Sequence, residues 1–493
     1  SMAAASATAL ATPAMLAAAL ATRPTPAIVR GARRRGGDKP NLLFLWTDEQ
    51  RADTFAVNGN RTYRMPALNA LAAESVSFSR CYDTQPVCTP ARSSVMTGLW
   101  PHTTGLTTNN ISLPAATPTL PELLADSAYR TAYMGKWHLG DEVFAQHGFE
   151  TWVSIEDIYS ANFASGRGQE ARSSYHHFLT SLGYKPSGHD GRFPRSFASR
   201  LPVEHTKPMF LAAEASKYLM AHRNEPWMLY VNFLEPHPPF SGPYDDLHRD
   251  AEAPPSANYP GQPIEREPEA YRQKREKFQR DGFEGHDLKS AAGWQHIARN
   301  YAGLCAQVDQ ALARILYALE ISGQAENTIT VFTSDHGEML GAHSLLTKGV
   351  HYEESVRVPM LLRAPFRKQK PQRIEQPVSH IDLVPTLLDL MGRKPIGSLP
   401  GQSWMPLVAG GAVREDHVYI EWDSPYSRVV VSPDGWKLAL FENDNCLLFD
   451  RSKDPLEEHN LYYRRESAPV IRRLRAKLER WQQTVGDRTV PTG

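Results

Sequence analysis

Little in this chain favours one sign of charge: Lys and Arg total 54, and Asp and Glu total 54. That balance excludes a global field drawing nucleic acid or an anionic membrane, so anion binding must be local. Cysteine is scarce too. Cys81, Cys88, Cys305 and Cys446 are too few and too scattered for a disulfide framework or a zinc site. Cys81 and Cys88 are near enough to pair, though nothing in the short segment between them calls for it. Cys305 and Cys446 read as small buried hydrophobes. Past the N-terminal region no apolar run approaches the ~20 residues that span a bilayer, and no internal repeat is evident.

At the N-terminus, Ser1 before Met2 reads as vector-derived. An Ala-rich run from Ala3 to about Ala21 follows, then a basic cluster of Arg30, Arg33, Arg34 and Arg35. The run has the make-up of a secretory h-region but lacks a basic n-region. Residues 1–39 are therefore expected to be an Ala-rich extension or the remnant of an export signal. That points to a periplasmic or secreted protein, with a cytoplasmic one as the alternative.

What is present is ordinary globular material, 41% hydrophobic and 22% charged over 493 residues. The length suits one large α/β domain with an appendage. Continuous apolar runs at Asn41–Thr47, Arg130–Met134, Trp227–Phe233, Thr328–Thr333 and Pro359–Arg363 predict buried strands. Helices are expected from Pro66, over Ser93–Thr97, over Thr119–Ser127, and from about Trp294 to Ile321. The alternation predicts a large, mixed but mostly parallel sheet sandwiched by helices over 40–396. Segments near 155–205 and 241–292, rich in Gly, Pro, Ser and charge, read as long loops on the rim of a site. From 397 to 493 short strands with tight turns, then a helix near Pro469–Val485, predict a smaller antiparallel-sheet subdomain.

Reactive residue types cluster at the predicted strand ends, where such sheets hold their ligands. Asp48 and Glu49 close the first strand; Lys136 follows another; His237 follows a third; Asp335 and His336 follow a fourth. Carboxylates delivered by separate strand ends suit a hard divalent cation. Taken singly, each is as readily a turn former.

The segment Cys88-Thr89-Pro90-Ala91-Arg92-Ser93-Ser94-Val95-Met96-Thr97-Gly98 resembles the maturation signature of type I sulfatases, in the alkaline-phosphatase-like superfamily. Gly135-Lys136-Trp137-His138-Leu139-Gly140, Glu235-Pro236-His237 and Thr347-Lys348-Gly349 with the Tyr352-Glu353-Glu354-Ser355 run resemble further motifs of that family, in its order. The likeness extends from about residue 40 to about 392 and resumes weakly near 448–461.

The resemblance implies a sulfuric ester hydrolase acting on an aryl or carbohydrate sulfate, so the partner is a sulfated small molecule or glycan. It implies conversion of Cys88 to formylglycine by a formylglycine-generating enzyme, and one divalent metal, calcium with magnesium or manganese as alternatives. Implied metal ligands are Asp48, Glu49, Asp335, His336 and the residue at Cys88; Glu49 departs from the usual Asp or Gln. Implied catalytic residues are Cys88, Arg92 as a brace, Lys136 and Lys348 on the sulfate, His138 near the nucleophile, and His237. His237 or Lys348 would protonate the leaving group, and His138 would help expel sulfate. His343 and His351 are lesser candidates. Arg167, Arg172, His176, His177, Arg192 and Arg195 could bind a polyanionic glycan. The alternatives are a phosphonate monoester or phosphodiester hydrolase of the same superfamily, or a non-catalytic anion-binding homologue.

Overall fold

The computed structural model describes residues 39–488 apart from 189, 262, 369 and 394–398. The Ala-rich segment, expected to be an extension or the remnant of an export signal, lies outside the described residues but for Lys39. Fifteen strands are described: β1 Asn41–Asp48, β2 Val76–Phe78, β3 Cys81–Tyr82, β4 Arg130–Gly135, β5 Thr151–Val153, β6 Trp227–Pro236, β7 Thr328–Ser334, β8 Arg357–Val358, β9 Met360–Arg363, β10 Gln372–Ile374, β11 Val378–Ser379, β12 Val418–Asp423, β13 Tyr426–Val431, β14 Trp436–Phe441 and β15 Leu447–Asp450. Helices of eight residues or more are α1 Pro66–Ala73, α2 Cys88–Thr97, α3 Ser174–Ser181, α4 Lys207–Ala221, α5 Glu269–Asp281, α6 Ala291–Ile321, α7 Leu383–Leu390 and α8 Ala468–Val485.

The main sheet has eight strands in the order β10-β2-β9-β7-β1-β6-β4-β5. Only β9 runs against the others, antiparallel to both β2 and β7. β1 lies at the centre, parallel to β6 and β7, which is why its sequence is apolar on both faces. Leu43 and Leu45 join one core while Leu42, Phe44 and Trp46 join the other, as a two-residue period requires. The first core is covered by α1, α4 and α6, through Leu68, Phe210, Ile297, Val308 and Leu312 among others. The second is covered by α2 and α7, through Val95, Met96, Val384 and Leu387. Each fully buried large aliphatic side chain contributes ~1.5–3 kcal/mol, so both faces hold the sheet. The mixed α/β class with a separate four-stranded antiparallel sheet, β12-β13-β14-β15, is as the sequence predicts.

Three expectations need correction. The helix expected from Ser93 begins at Cys88. The helix expected over Thr119–Ser127 spans only Leu120–Leu124, because Ala125 turns left-handed. The two segments read as long loops contain α3 and α5. α5 is mostly polar, with only Tyr271 and Arg275 buried, so it carries almost no apolar stripe for sequence periodicity to register.

Candidate active site

Strand register brings the site together. Trp46 pairs with Asn232 and Thr333, Gly135 pairs with Asn232, and Thr47 pairs with Ser334. The next residues along, Asp48, Lys136 and Asp335, therefore emerge side by side at the carboxyl edge. Gly135 has φ +122°, and a Cβ there would lie 1.9 Å from the Asn232 carbonyl oxygen. Only glycine lets β4 end this close to β6.

Cys88 opens α2, with Val87 as its cap and no capping side chain there. The Asn109 side chain accepts from the Thr89 amide at 3.0 Å instead. Pro90 falls in the first turn, where its missing N–H leaves no helical bond unmade. Cys88 and Arg92 are four residues apart and share one face of the helix. That spacing aims both at the strand ends.

Arg92 is the hub. Its Nη2 donates to Asp48 Oδ2 and its Nε to Asp335 Oδ2, both at 2.9 Å, and all three side chains are fully buried. Nη1 donates to the Lys136 carbonyl at 2.8 Å and to Asn232 Oδ1 at 3.0 Å. The guanidinium also stacks 4.8 Å from the Trp46 ring centre. Lys136 Nζ donates to Asp48 Oδ2. Burial alone would raise the Asp48 pKa, but Lys136, with His237 and Arg92 behind it, holds the carboxyl well below the usual range.

Opposite stands His336. Its Nε2 lies 3.3 Å from Cys88 Sγ and 3.7 and 3.6 Å from Asp48 Oδ1 and Asp335 Oδ1. Its Nδ1 faces the Gly337 carbonyl at 3.0 Å, which fixes the ring with Nε2 inward. Burial works against protonation, yet Asp335 and Cys88 raise the imidazole pKa to about 10. The geometry thus concentrates negative potential at this point.

The donor atoms of Asp48, Cys88, Asp335 and His336 all lie within 4.8 Å of one another, and all four residues are buried. Ligands ~2.4 Å from a calcium-sized ion stand up to about that far apart. The donor set therefore fits a divalent cation. Glu49 is placed differently. Its carboxylate groups with Asp48 and His237, and Oε2 accepts from Lys348 Nζ at 2.6 Å. Oε1 is buried without a hydrogen-bond partner, and burial pushes the carboxyl up to about 8 in spite of Lys348.

His237 Nε2 lies 3.6 Å from Glu49 Oε2, and its Nδ1 faces the Pro238 carbonyl at 2.8 Å. Burial, then Lys348, hold its pKa well below that of a free histidine. His138 does not bond Cys88. Its Nε2 faces Asn110 Oδ1 at 2.9 Å, its ring stacks on Tyr159 with centres 4.3 Å apart, and Nδ1 is buried without a partner. Burial and Lys136 depress its pKa well below the ordinary value.

The lesser candidates are packing residues: His343 stacks on Tyr352 at 3.8 Å, and His351 Nε2 meets Ser427 Oγ at 2.8 Å. Among the insertion residues, Arg167 pairs with Asp141, Arg172 donates to backbone carbonyls, His176 pairs with Asp157 and meets the His177 ring, and Arg192 pairs with Asp190. Arg195 alone of this group shares a cavity with His237.

Sequence reasoning missed Asn232, Glu142 and Lys274. Asn232 was detectable as the one amide in an otherwise apolar strand. Glu142 accepts from the Trp137 and His138 amides at 2.8 and 2.7 Å, holding the Lys136 turn. Lys274 of α5 donates to the Lys348 carbonyl. Neither had a sequence signal.

Comparison with known proteins places the sequence and the fold among relatives. A sequence model of the family described as Sulfatase matches residues 40–393, and one described as N-sulphoglucosamine sulphohydrolase, C-terminal, matches 341–484. An uncharacterized sulfatase, YidJ, of Escherichia coli is 30% identical over 86% of this chain and 83% of its own length. A phosphonate monoester hydrolase from Silicibacter pomeroyi superposes with a TM-score of 0.77 at 22% identity, over 92% of this chain and 96% of that one. A structure described as in complex with its substrate D-glucosamine-2-N,6-O-disulfate superposes with a TM-score of 0.73 at 23% identity, over 92% and 99%.

Proposed function

This chain belongs to the sulfatase family, and from that premise we propose that it hydrolyses a sulfate ester with an oxygen nucleophile derived from Cys88, set against a divalent ion. One observation carries the proposal: Cys88 Sγ stands 3.3 Å from His336 and 3.8 Å from Asp48, inside a buried donor set of cation size. In the unconverted chain Sγ stands in for the oxygens of a formylglycine hydrate.

Such a hydrate supplies a nucleophilic hydroxyl and a second one through which the carbonyl can re-form, releasing sulfate without attack by water on sulfur. Asp48, Asp335 and His336 would hold the divalent ion, which when bound would supply Lewis acidity and lower the pKa of a neighbouring hydroxyl. Glu49 is proposed as an outer member of that set, and calcium as the ion, since oxygen donors dominate.

The remaining steps fall to this chain's own side chains. Arg92 fixes the spacing of Asp48 and Asp335. Lys136 and Lys348 bind the non-bridging oxygens, where charge builds up in the transition state. With Nδ1–H donated to Pro238, His237 presents an unprotonated Nε2, which can accept from a hydroxyl of the substrate and cannot donate to the departing oxygen. That leaves Lys348 as the proton donor to the departing oxygen; its ion pair with Glu49 Oε2 at 2.6 Å, which does not depend on the state of residue 88, favours its charged form. With Nε2–H donated to Asn110, the Nδ1 lone pair of His138 is available to take a proton from the second hydroxyl.

The substrate class proposed is a sulfated sugar or aryl sulfate. Phosphonate monoester hydrolysis is the second reading, because that ester presents the same single negative charge to the same cradle. The test combines two measurements: the mass of the peptide containing residue 88, and release of sulfate from an aryl sulfate beside release of phenol from an aryl phosphonate. We expect a loss of ~18 Da from the cysteine mass and faster sulfate ester cleavage. Faster phosphonate cleavage would favour the second reading; an intact cysteine in a fully active enzyme would refute the nucleophile.

A further inference from the structure

Arg195 is a cation beside the site that the proposed chemistry does not use. It lies in the short helix Arg195–Ala198, and its side chain keeps 20% of its surface exposed. Its Nε and Nη2 donate to Glu156 Oε2, and Nη2 donates also to Tyr159 Oη at 2.9 Å. Tyr159 is the ring stacked on His138. On its other side Arg195 lines a cavity with His237, Lys207 and Glu235. The guanidinium is thus linked to His138 through Tyr159 and lines one cavity with His237, the two histidines that flank the reaction centre.

The local charge does not cancel. Glu156 is shared between Arg195 and Lys207, so two cations meet one carboxylate. Burial would raise the Glu156 pKa, but Arg195 and Lys207 bring it down to about 2, so it carries its one charge throughout the working range. Glu235, half-buried in the same wall, is pushed up to about 7 by desolvation and offers only a partial counter-charge near neutral pH. Within the described residues Nη1 of Arg195 has no hydrogen-bond partner, and it is not among the buried unpartnered atoms, so it meets solvent. The cavity offers about 10 Å³ to the centre of a water molecule, room for a single water. An anion would sit at its mouth, on the guanidinium edge, and not within it.

A sulfate monoester brings one negative charge, which Lys136, Lys348 and the ion already answer. We infer that Arg195 is a specificity-determining residue that reads a second anionic group, a carboxylate or a further sulfate, on the alcohol side of the ester. The inference rests on the sulfatase reading above and narrows it: doubly charged esters are favoured, and esters of cationic alcohols are rejected. With Nε and Nη2 held by Glu156 and Tyr159, the two N–H groups of Nη1 are left to donate to either oxyanion.

The test uses the full-length, converted enzyme and three matched esters: phenyl sulfate, its 3-carboxyphenyl analogue and resorcinol disulfate. The wild type should prefer the second and third over the first by about tenfold or more in kcat/KM, the size of one charge-assisted contact. Arg195→Gln should erase most of that preference, chiefly through KM, while Glu156 keeps Lys207 as its partner. Arg195→Lys should retain the preference within about threefold. The carboxylate and disulfate arms tell which anion is read. Equal losses on all three esters in Arg195→Gln would mark a structural brace and overturn the inference, as would a wild type with no preference. If the wild type releases sulfate from none of the three, the sulfatase reading fails and takes the inference with it.

Discussion

Arg92 is where the chemistry of single residues is most exposed to test. One guanidinium holds two buried carboxylates that would otherwise repel each other, and it does so through two different nitrogens. Lysine keeps the charge but cannot make both bonds. We expect Arg92→Lys to lower the unfolding free energy by ~1–3 kcal/mol, the cost of unmade buried hydrogen bonds, and Arg92→Ala by ~3–5 kcal/mol, as when one partner of a buried ion pair is removed. Both should weaken metal retention. Urea titration with metal analysis measures this, and an Arg92→Lys variant within ~0.5 kcal/mol of wild type would contradict the bracing role. The Cys-x-Pro-x-Arg motif made this residue legible through its resemblance to the family signature; that positions 88 and 92 share a helical face was not legible, because the helix was expected only from Ser93. Glu49 was only half legible. Its place after Asp48 suggested a metal ligand, but φ of 69° swings its side chain toward Lys348, and no neighbouring residue type signals that turn.

Among the elements, α1 shows how distant segments cap one another. Its amides at Ala67 and Leu68 donate to the two carboxylate oxygens of Asp309, on α6, at 3.0 and 2.7 Å. Asp309→Ala leaves both amides unpaired, that of Leu68 buried and that of Ala67 partly so, and should cost ~1–3 kcal/mol, the cost of a buried orphan; Asp309→Asn should cost less. Burial raises the Asp309 pKa from 3.8 to about 7, against the pull of those two amides. The folded state therefore holds a proton that the unfolded chain releases. Its contribution is complete below pH ~4 and is lost as the pH rises through about 7. Denaturant titrations between those limits should show a decline that Asp309→Asn flattens; an unchanged slope would contradict it. The strands were legible because burial on both faces makes them apolar throughout. The start of α2 was not, because its stabilising partner is the Asn109 side chain and no capping residue precedes Cys88.

Across the whole molecule, the antiparallel sheet is not an independent appendage. Val418, Ile420, Val429 and Phe449 share one core with Tyr82, Met339, Val350 and Tyr352. Lys437 and Arg451 pair with Glu353, which stands beside that core at the end of the Lys348 loop. Removing 397–493 would expose this surface and strip Glu353 of both cations. We expect the truncated protein to be insoluble or to bind a hydrophobic dye strongly, and a soluble, fully active truncation would contradict that. The composition break near residue 397 was visible in the sequence. The shared core was not, because nothing in either segment alone encodes which apolar faces meet.

The central claim is that sulfate leaves through an oxygen derived from residue 88 and braced between Asp48 and His336. Sulfate release by the wild type and by Cys88→Ala, prepared identically and matched for fold by circular dichroism, tests it most directly. The account predicts a fall of several orders of magnitude in kcat/KM, as loss of a nucleophile produces. Activity within about tenfold of wild type would mean that the ester is opened by some other group.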